Sequence, residues 1–285
     1  MKKIITLLFV FAFVSTMAFA QNSASVTQSG DDNKATVDQQ YVGYGGQNVA
    51  IVEQVAGQDD GNTVRSLDQY GADNLYDIYQ NGNGNMVRQH PEQGKHGPSI
   101  GGKIDIDQLG DDNIVHDADQ SGYGNTVTIM QEGSNNFVDV EGQDSRATGG
   151  EYAGNTVNVA QYGDGNMVGT GTGTGTYQTS GGNVINITQE GGSRAGTQTV
   201  QTSTGLPTQE GGQGLVQISG YDNVMNIDQY GSGSEVKSVL QDGSMNVVNI
   251  SQGLSGMGGM HTAEVTQVGV DNTVNITQNG GFMVQ

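Results

Sequence analysis

Residues 155–166 read Asn155-Thr156-Val157-Asn158-Val159-Ala160-Gln161-Tyr162-Gly163-Asp164-Gly165-Asn166, and this run decides the fold. Apolar Val157 and Val159 alternate with Thr156, Asn158 and Ala160, a period of two that marks a strand with one buried face. Asn155 and Gln161 have the parity of the two valines and so belong to the same face. Gly163-Asp164-Gly165 is turn chemistry with tolerance for positive φ. Asn166 then starts the pattern again.

The same spacing recurs along the chain. Asn74, Tyr76, Ile78, Gln80 and Gly82 lead to Asn85; Asn125, Val127, Ile129, Gln131 and Gly133 lead to Asn136. Asn183, Ile185, Ile187, Gln189 and Gly191 repeat it, as do Asn223, Met225, Ile227, Gln229 and Gly231, and Asn272, Val274, Ile276, Gln278 and Gly280. Looser copies run from Asn22 through Gln28 and Gly30 to Asn33 and Gln39, from Asn48 to Gln54, from Ile104 to Asn113, and from Asn246 to Gln252. Three copies, Asn62 to Gln69, Asn113 to Gln120 and Ser234 to Gln241, hold one extra residue before the Gln, which predicts a β-bulge.

One such strand cannot bury its apolar pair alone, whereas stacked copies can, so the expected fold is an all-β solenoid. Two parallel strand layers would face each other across a thin core, with strand-turn-strand rungs of about 22 residues stacked roughly 4.8 Å apart, as in amyloid. Buried Asn and Gln need partners for both donors and acceptors, and identical amides stacked in register supply them. Val42 to Gln47, His90 to Gly101, Gln143 to Gly154 and Gly173 to Gly182 read as loop insertions following a strand, at one edge. Residues 190–222 read as two degraded strands (Thr197 to Gln201, and Leu215 to Gln217), which brings the count near twenty strands in ten rungs.

Residues 1–20 read as a secretion signal: Lys2 and Lys3, an apolar run from Ile4 to Val14, and Ala18-Phe19-Ala20 as cleavage site. Residues 21–285 are then the repeat solenoid, secreted and with no membrane insertion after cleavage. Hydrophobic residues make up only 33% of the chain, too few for a compact single core of this length. The net charge of −20, more negative still without Lys2 and Lys3, argues against a nucleic acid or an anionic membrane as partner, since both need a positive surface. No cysteine is present, so strand pairing and stacking must stabilise an exported chain without disulfides.

Catalysis finds little support. Without cysteine and with four scattered histidines, neither a Cys-His pair nor a structural zinc set assembles, and no cofactor is implied. His90 and His96, with Glu92 between them, read as ordinary loop residues. Asp117 and Asp119 read as solvated strand residues, because a strongly perturbed carboxylate needs burial. The Thr170, Thr172, Thr174, Thr176 array alternates with Gly and reads as a flexible insertion. Tyr70, Tyr162 and Tyr230, each just after a Gln, read as corner packing, with an outer stack or a carbohydrate contact as the alternative. The acidic pairs Asp31-Asp32, Asp59-Asp60 and Asp111-Asp112 read as solvated turns, with slowing of association as the second reading.

The repeat resembles the curlin repeat of curli fibre subunits, Ser/Asn-x5-Gln-x-Gly-x-x-Asn-x5-Gln. Asn22, Gln28, Gly30, Asn33 and Gln39 reproduce it in full, and Gln267, Gly269, Asn272 and Gln278 do so with His261 in the first place. Asn74, Gln80, Gly82 and Asn85 fit its first half and turn. The resemblance implies a self-assembling extracellular surface fibre (a pilus- or fimbria-like functional amyloid) serving biofilm matrix, adhesion and colonisation. It implies other curli-like subunits and a dedicated outer-membrane secretion pore as partners, and no enzymatic activity. Carried over by position, the self-assembly ladder would comprise the Asn, Gln and Gly residues just named together with Asn125, Gln131, Gly133, Asn136, Asn155, Gln161, Gly163, Asn166, Asn183, Gln189, Asn223 and Gln229. Long insertions, and repeats that begin almost at the cleavage site, depart from a major subunit and leave a minor or nucleating one open. A monomeric β-solenoid adhesin is the alternative, and a polysaccharide-acting β-helix enzyme a distant third.

Overall fold

The computed structural model describes residues 22–41, 46–57, 61–88, 92–93, 99–145, 154–169, 176–179, 181–195, 215–218, 220–253 and 261–279. The signal segment, His90, His96, Asp59-Asp60 and Thr170 to Thr174 lie outside them. Every regular element described is a strand, and every pairing is parallel. The first sheet stacks ten strands in sequence order: Ser23–Ser29, Val49–Val55, Leu75–Asn81, Lys103–Leu109, Thr126–Glu132, Thr156–Tyr162, Val184–Glu190, Val224–Tyr230, Val247–Gln252 and Thr273–Gln278. Their register never slips: Val127 pairs Val157, Ile129 pairs Val159, Gln131 pairs Gln161.

The second sheet alternates with the first along the chain. Its full-length strands are Lys34–Tyr41, Thr63–Ala72, Ile114–Tyr123, Phe137–Asp144, Glu235–Asp242 and Thr262–Val268. Three further levels are broken: Met86–Val87 with Glu92–Gln93 and Ser99–Ile100, Met167–Val168 with Thr176–Thr179, and Arg194–Ala195 with Leu215–Ile218. This corrects one expectation. The insertions at His90 to Gly101, Gln143 to Gly154 and Gly173 to Gly182 do not simply follow a strand, because each contains residues that belong to one. Within residues 190–222, Arg194–Ala195 and Leu215–Ile218 pair with the same strand and share one interrupted level, while the expected strand from Thr197 to Gln201 lies outside the described residues; among the described residues, ten levels of the first sheet face nine of the second. The step from one first-sheet Gln to the next therefore varies from 23 residues (Gln108 to Gln131) to 40 (Gln189 to Gln229).

The bulges fall where the extra residues predicted them. The register shifts between Ala35 and Val37 against Thr63–Ala72, between Val115 and Ala118 against Phe137–Asp144, and between Val236 and Ser238 against Thr262–Val268. Val and Ile from both sheets fill one continuous core, and Val127, Val157, Ile185 and Val248 are fully buried. Each such side chain contributes about 1.5–3 kcal/mol on burial. The residues between them, such as Thr156 and Asn158, stay partly exposed on the outer faces.

The turns stack as closely as the strands. Gly133 has φ 120°, and a Cβ there would stand 2.2 Å from the carbonyl oxygen of Gly163 on the next level. Gly133→Ala therefore combines a disallowed φ with a backbone clash. It is expected to cost about 2–4 kcal/mol, read as a lowered guanidinium midpoint, whereas Ser134→Ala in the same turn is expected to leave the midpoint nearly unchanged. The acidic turn residues shape and brace these corners. Asp32, Asp112, Asp222 and Asp271 take left-handed φ of 54–60°. Asp111 Oδ1 accepts a hydrogen bond from the Asn83 backbone N–H, and Asp164 Oδ1 from that of Ser134.

Candidate functional site

The parity that places Val and Ile in the core also drives the Gln of each unit inward, at the corner where a strand ends. In the first sheet these glutamines form one unbroken column: Gln28, Gln54, Gln80, Gln108, Gln131, Gln161, Gln189, Gln229, Gln252 and Gln278. Each donates from Nε2 to Oε1 of the next at 2.7–2.9 Å. The second amide proton crosses to the other sheet. Gln54 donates to the carbonyl of Lys34, Gln131 to that of Ile114 and Gln278 to that of Thr262. That crossing fixes which amide atom is nitrogen, so all nine links point the same way along the axis.

The second sheet repeats the device with Gln39 to Gln69, Gln120 to Gln143 to Gln178, and Gln241 to Gln267. Gln143 and Gln178 were hidden within expected insertions. Gln143 stands seven residues after Asn136, displaced by Gly142, and Gln178 is separated from Met167–Val168 by an interruption. Their signal was only the need of each neighbouring Gln for a partner.

The strand-start asparagines make two more columns. Oδ1 of Asn22 accepts from the backbone N–H of Asn48, Asn48 from Asn74, Asn125 from Asn155, Asn155 from Asn183, Asn183 from Asn223, Asn223 from Asn246 and Asn246 from Asn272. Across the core, Asn33, Asn62, Asn85, Asn113, Asn136 and Asn166 do the same. Their Nδ2 groups hold turns: Asn85 donates to the Gly110 carbonyl, Asn136 to that of Gly163 and Asn246 to that of Gly269. Gly102 stands in the Asn place of one copy, and Ser193, Ser234 and His261 end the second-sheet column. Gly30, Gly82, Gly133, Gly163 and Gly269 all adopt positive φ at the turns.

A further amide column lies outside the core and was not anticipated. Asn158, Asn186, Asn226, Asn249 and Asn275 link Nδ2 to Oδ1 at 2.7–2.9 Å on the outer face of the first sheet. Its signal was present, since all five stand three residues after a strand-start Asn. Two other expectations change. Asp119 is buried and Asp117 largely so, where solvated strand carboxylates were expected, and Asp119 lies next to the bulge at Ala118. Tyr162 and Tyr230 do not stack, because Glu190 stands between them in register, and Tyr70 belongs to the other sheet. Thr176 is a buried strand residue and not part of a flexible insertion.

The two ends differ from the middle. Ser23–Ser29 is exposed throughout and its Val26 is 46% exposed, whereas Val52, directly paired with it on the next level, is 1% exposed. At the other end Val274 and Ile276 are only partly buried, and Val268 and Val270 are exposed. Both ends leave strand edges unpaired by any described residue.

Fold and columns together define a parallel two-sheet β-solenoid with internal amide ladders. The model of the curlin associated repeat matches residues 19–41 and 117–141. The first stretch includes the strands Ser23–Ser29 and Lys34–Tyr41; the second runs from within Ile114–Tyr123 through Thr126–Glu132 into Phe137–Asp144. That repeat characterises a family of extracellular fibre subunits, structural and not enzymatic. No curated protein matches the chain.

Proposed function

We propose that this chain is the subunit of a self-assembling, curli-like extracellular fibre, which grows by docking the C-terminal rung of one copy onto the N-terminal rung of the next. The observation that carries this reading is the pair of unfinished ends. Among the described residues, the Oε1 atoms of Gln28 and Gln39 at the first level have no preceding glutamine, and Gln267 and Gln278 at the last level have no following one. An incoming copy would complete both ladders, bury Val26 and pair every open strand edge. The Asn, Gln and Gly residues of the repeat are then the assembly residues, and biofilm matrix, adhesion and surface colonisation are the roles such a fibre serves. Secretion through an outer-membrane pore and co-assembly with related subunits belong to the same reading.

The chain from Gln21 onward, purified in denaturant and diluted into buffer, is expected to form fibres with a meridional reflection near 4.7–4.8 Å and strong thioflavin fluorescence. A chain that folds and stays monomeric for days would sink the proposal and leave the adhesin reading in its place.

A further inference from the structure

Three ligand-type side chains meet on the second sheet, away from the ladders. His116 and Asp117 come from the strand Ile114–Tyr123 and Asp139 from its neighbour Phe137–Asp144. The His116 Nδ1 atom lies 3.5 Å from Asp117 Oδ2 and 3.7 Å from Asp139 Oδ1, too far for good hydrogen bonds. One donor atom from each of the three lies within 4.8 Å of the others. His116 is 9% exposed and Asp139 fully buried, and neither carboxylate oxygen of Asp139 has a hydrogen-bond partner. A buried carboxylate without donors is costly, and each such group calls for an explanation.

We propose that His116, Asp117 and Asp139 form a binding site for one divalent transition-metal ion, with zinc as its representative. The donor set is one imidazole nitrogen and two carboxylates, which suits borderline ions such as zinc; calcium and magnesium prefer oxygen alone. The charges also match, since two carboxylates and a neutral imidazole balance a divalent cation. Arg88 stands one level earlier and next in register to His116, and its Nε is buried without a hydrogen-bond partner. Phe137 flanks the imidazole with ring centroids 5.9 Å apart. Because the ligands come from adjacent strands, the site exists only once these two levels have stacked, so the ion would tie them together.

The test is zinc titration of the chain from Gln21 onward after chelator treatment, in whichever folded form it adopts, followed by metal analysis of the washed protein. One zinc per chain is expected, with affinity falling more than tenfold in both His116→Asn and Asp139→Asn. Cobalt in place of zinc should give visible d–d absorption that His116→Asn abolishes. If Asp139→Asn does not fold, the His116→Asn titration and the cobalt spectrum carry the test alone. Absence of stoichiometric zinc, zinc binding unchanged in His116→Asn, or calcium bound as tightly as zinc would each overturn the inference. The result is independent of polymerisation: a monomer that binds zinc here removes the fibre reading and leaves this site standing.

Discussion

Gln131→Glu is expected to prevent the middle of the solenoid from closing. Gln131 is fully buried; it donates to Gln161 Oε1 at 2.9 Å and to the Ile114 carbonyl at 3.3 Å, and accepts from Gln108 at 2.9 Å. A carboxylate keeps only the accepting role and turns negative oxygen toward two oxygen acceptors. Two lost buried hydrogen bonds, at about 1–3 kcal/mol each, together with a buried charge, place the loss at roughly 4 kcal/mol or more. The measurement is the guanidinium midpoint together with the yield of ordered β-structure. Gln131→Leu, which keeps the volume but none of the bonds, should fall between the two. Burial raises the pKa of the new carboxyl, so mild acid should restore one donor and part of the stability. A midpoint for Gln131→Glu equal to that of the unaltered chain would show that the column is ornament and that the core alone holds the fold.

The second large effect concerns the ends. Val26→Lys places an ammonium at a position that is half-exposed in the single copy and sealed in a joint. The copy itself should fold, since the new side chain can reach water. Docking would bury an unpaired charge at a cost of several kcal/mol, so seeded elongation should slow by about a hundredfold or more. Val157→Lys, at a fully buried place in the middle, should instead abolish folding. Equal elongation by Val26→Lys and the unaltered chain would mean that growth uses a surface other than the terminal rung.

Local causes of the fold are legible in the sequence, and distant ones are not. The first sheet was legible strand by strand, because Asn, two apolar residues and Gln at period two occur together in each copy. The bulges were legible from a single extra residue, as at Asn113 to Gln120. The broken levels of the second sheet were not. Nothing within Met86–Val87 or Thr176–Thr179 marks a strand; these short pieces pair because full-length neighbours hold them in register. The meeting of His116 and Asp139 was likewise hidden, since 23 residues separate the strand-start asparagines, Asn113 and Asn136, whose stacking brings the two strands together. The outer asparagine column was legible in principle, but an Asn on the wet face of a strand attracts no notice until its copies stack.

The glutamine column also has a direction. Ten amides are joined by nine hydrogen bonds that all run in one sense, so their dipoles add from Gln28 to Gln278, and hydrogen bonds in such a chain polarise and strengthen one another. One terminus offers carbonyl oxygens and the other offers amide protons, so a copy arriving upside down would set like against like. A head-to-tail contact of the kind proposed, stacking copies along one axis, would not close into a ring and would propagate as a filament. The two tips of the resulting filament would be chemically distinct, with separate rates of growth, and a cell could extend it or stop it by acting on one tip alone.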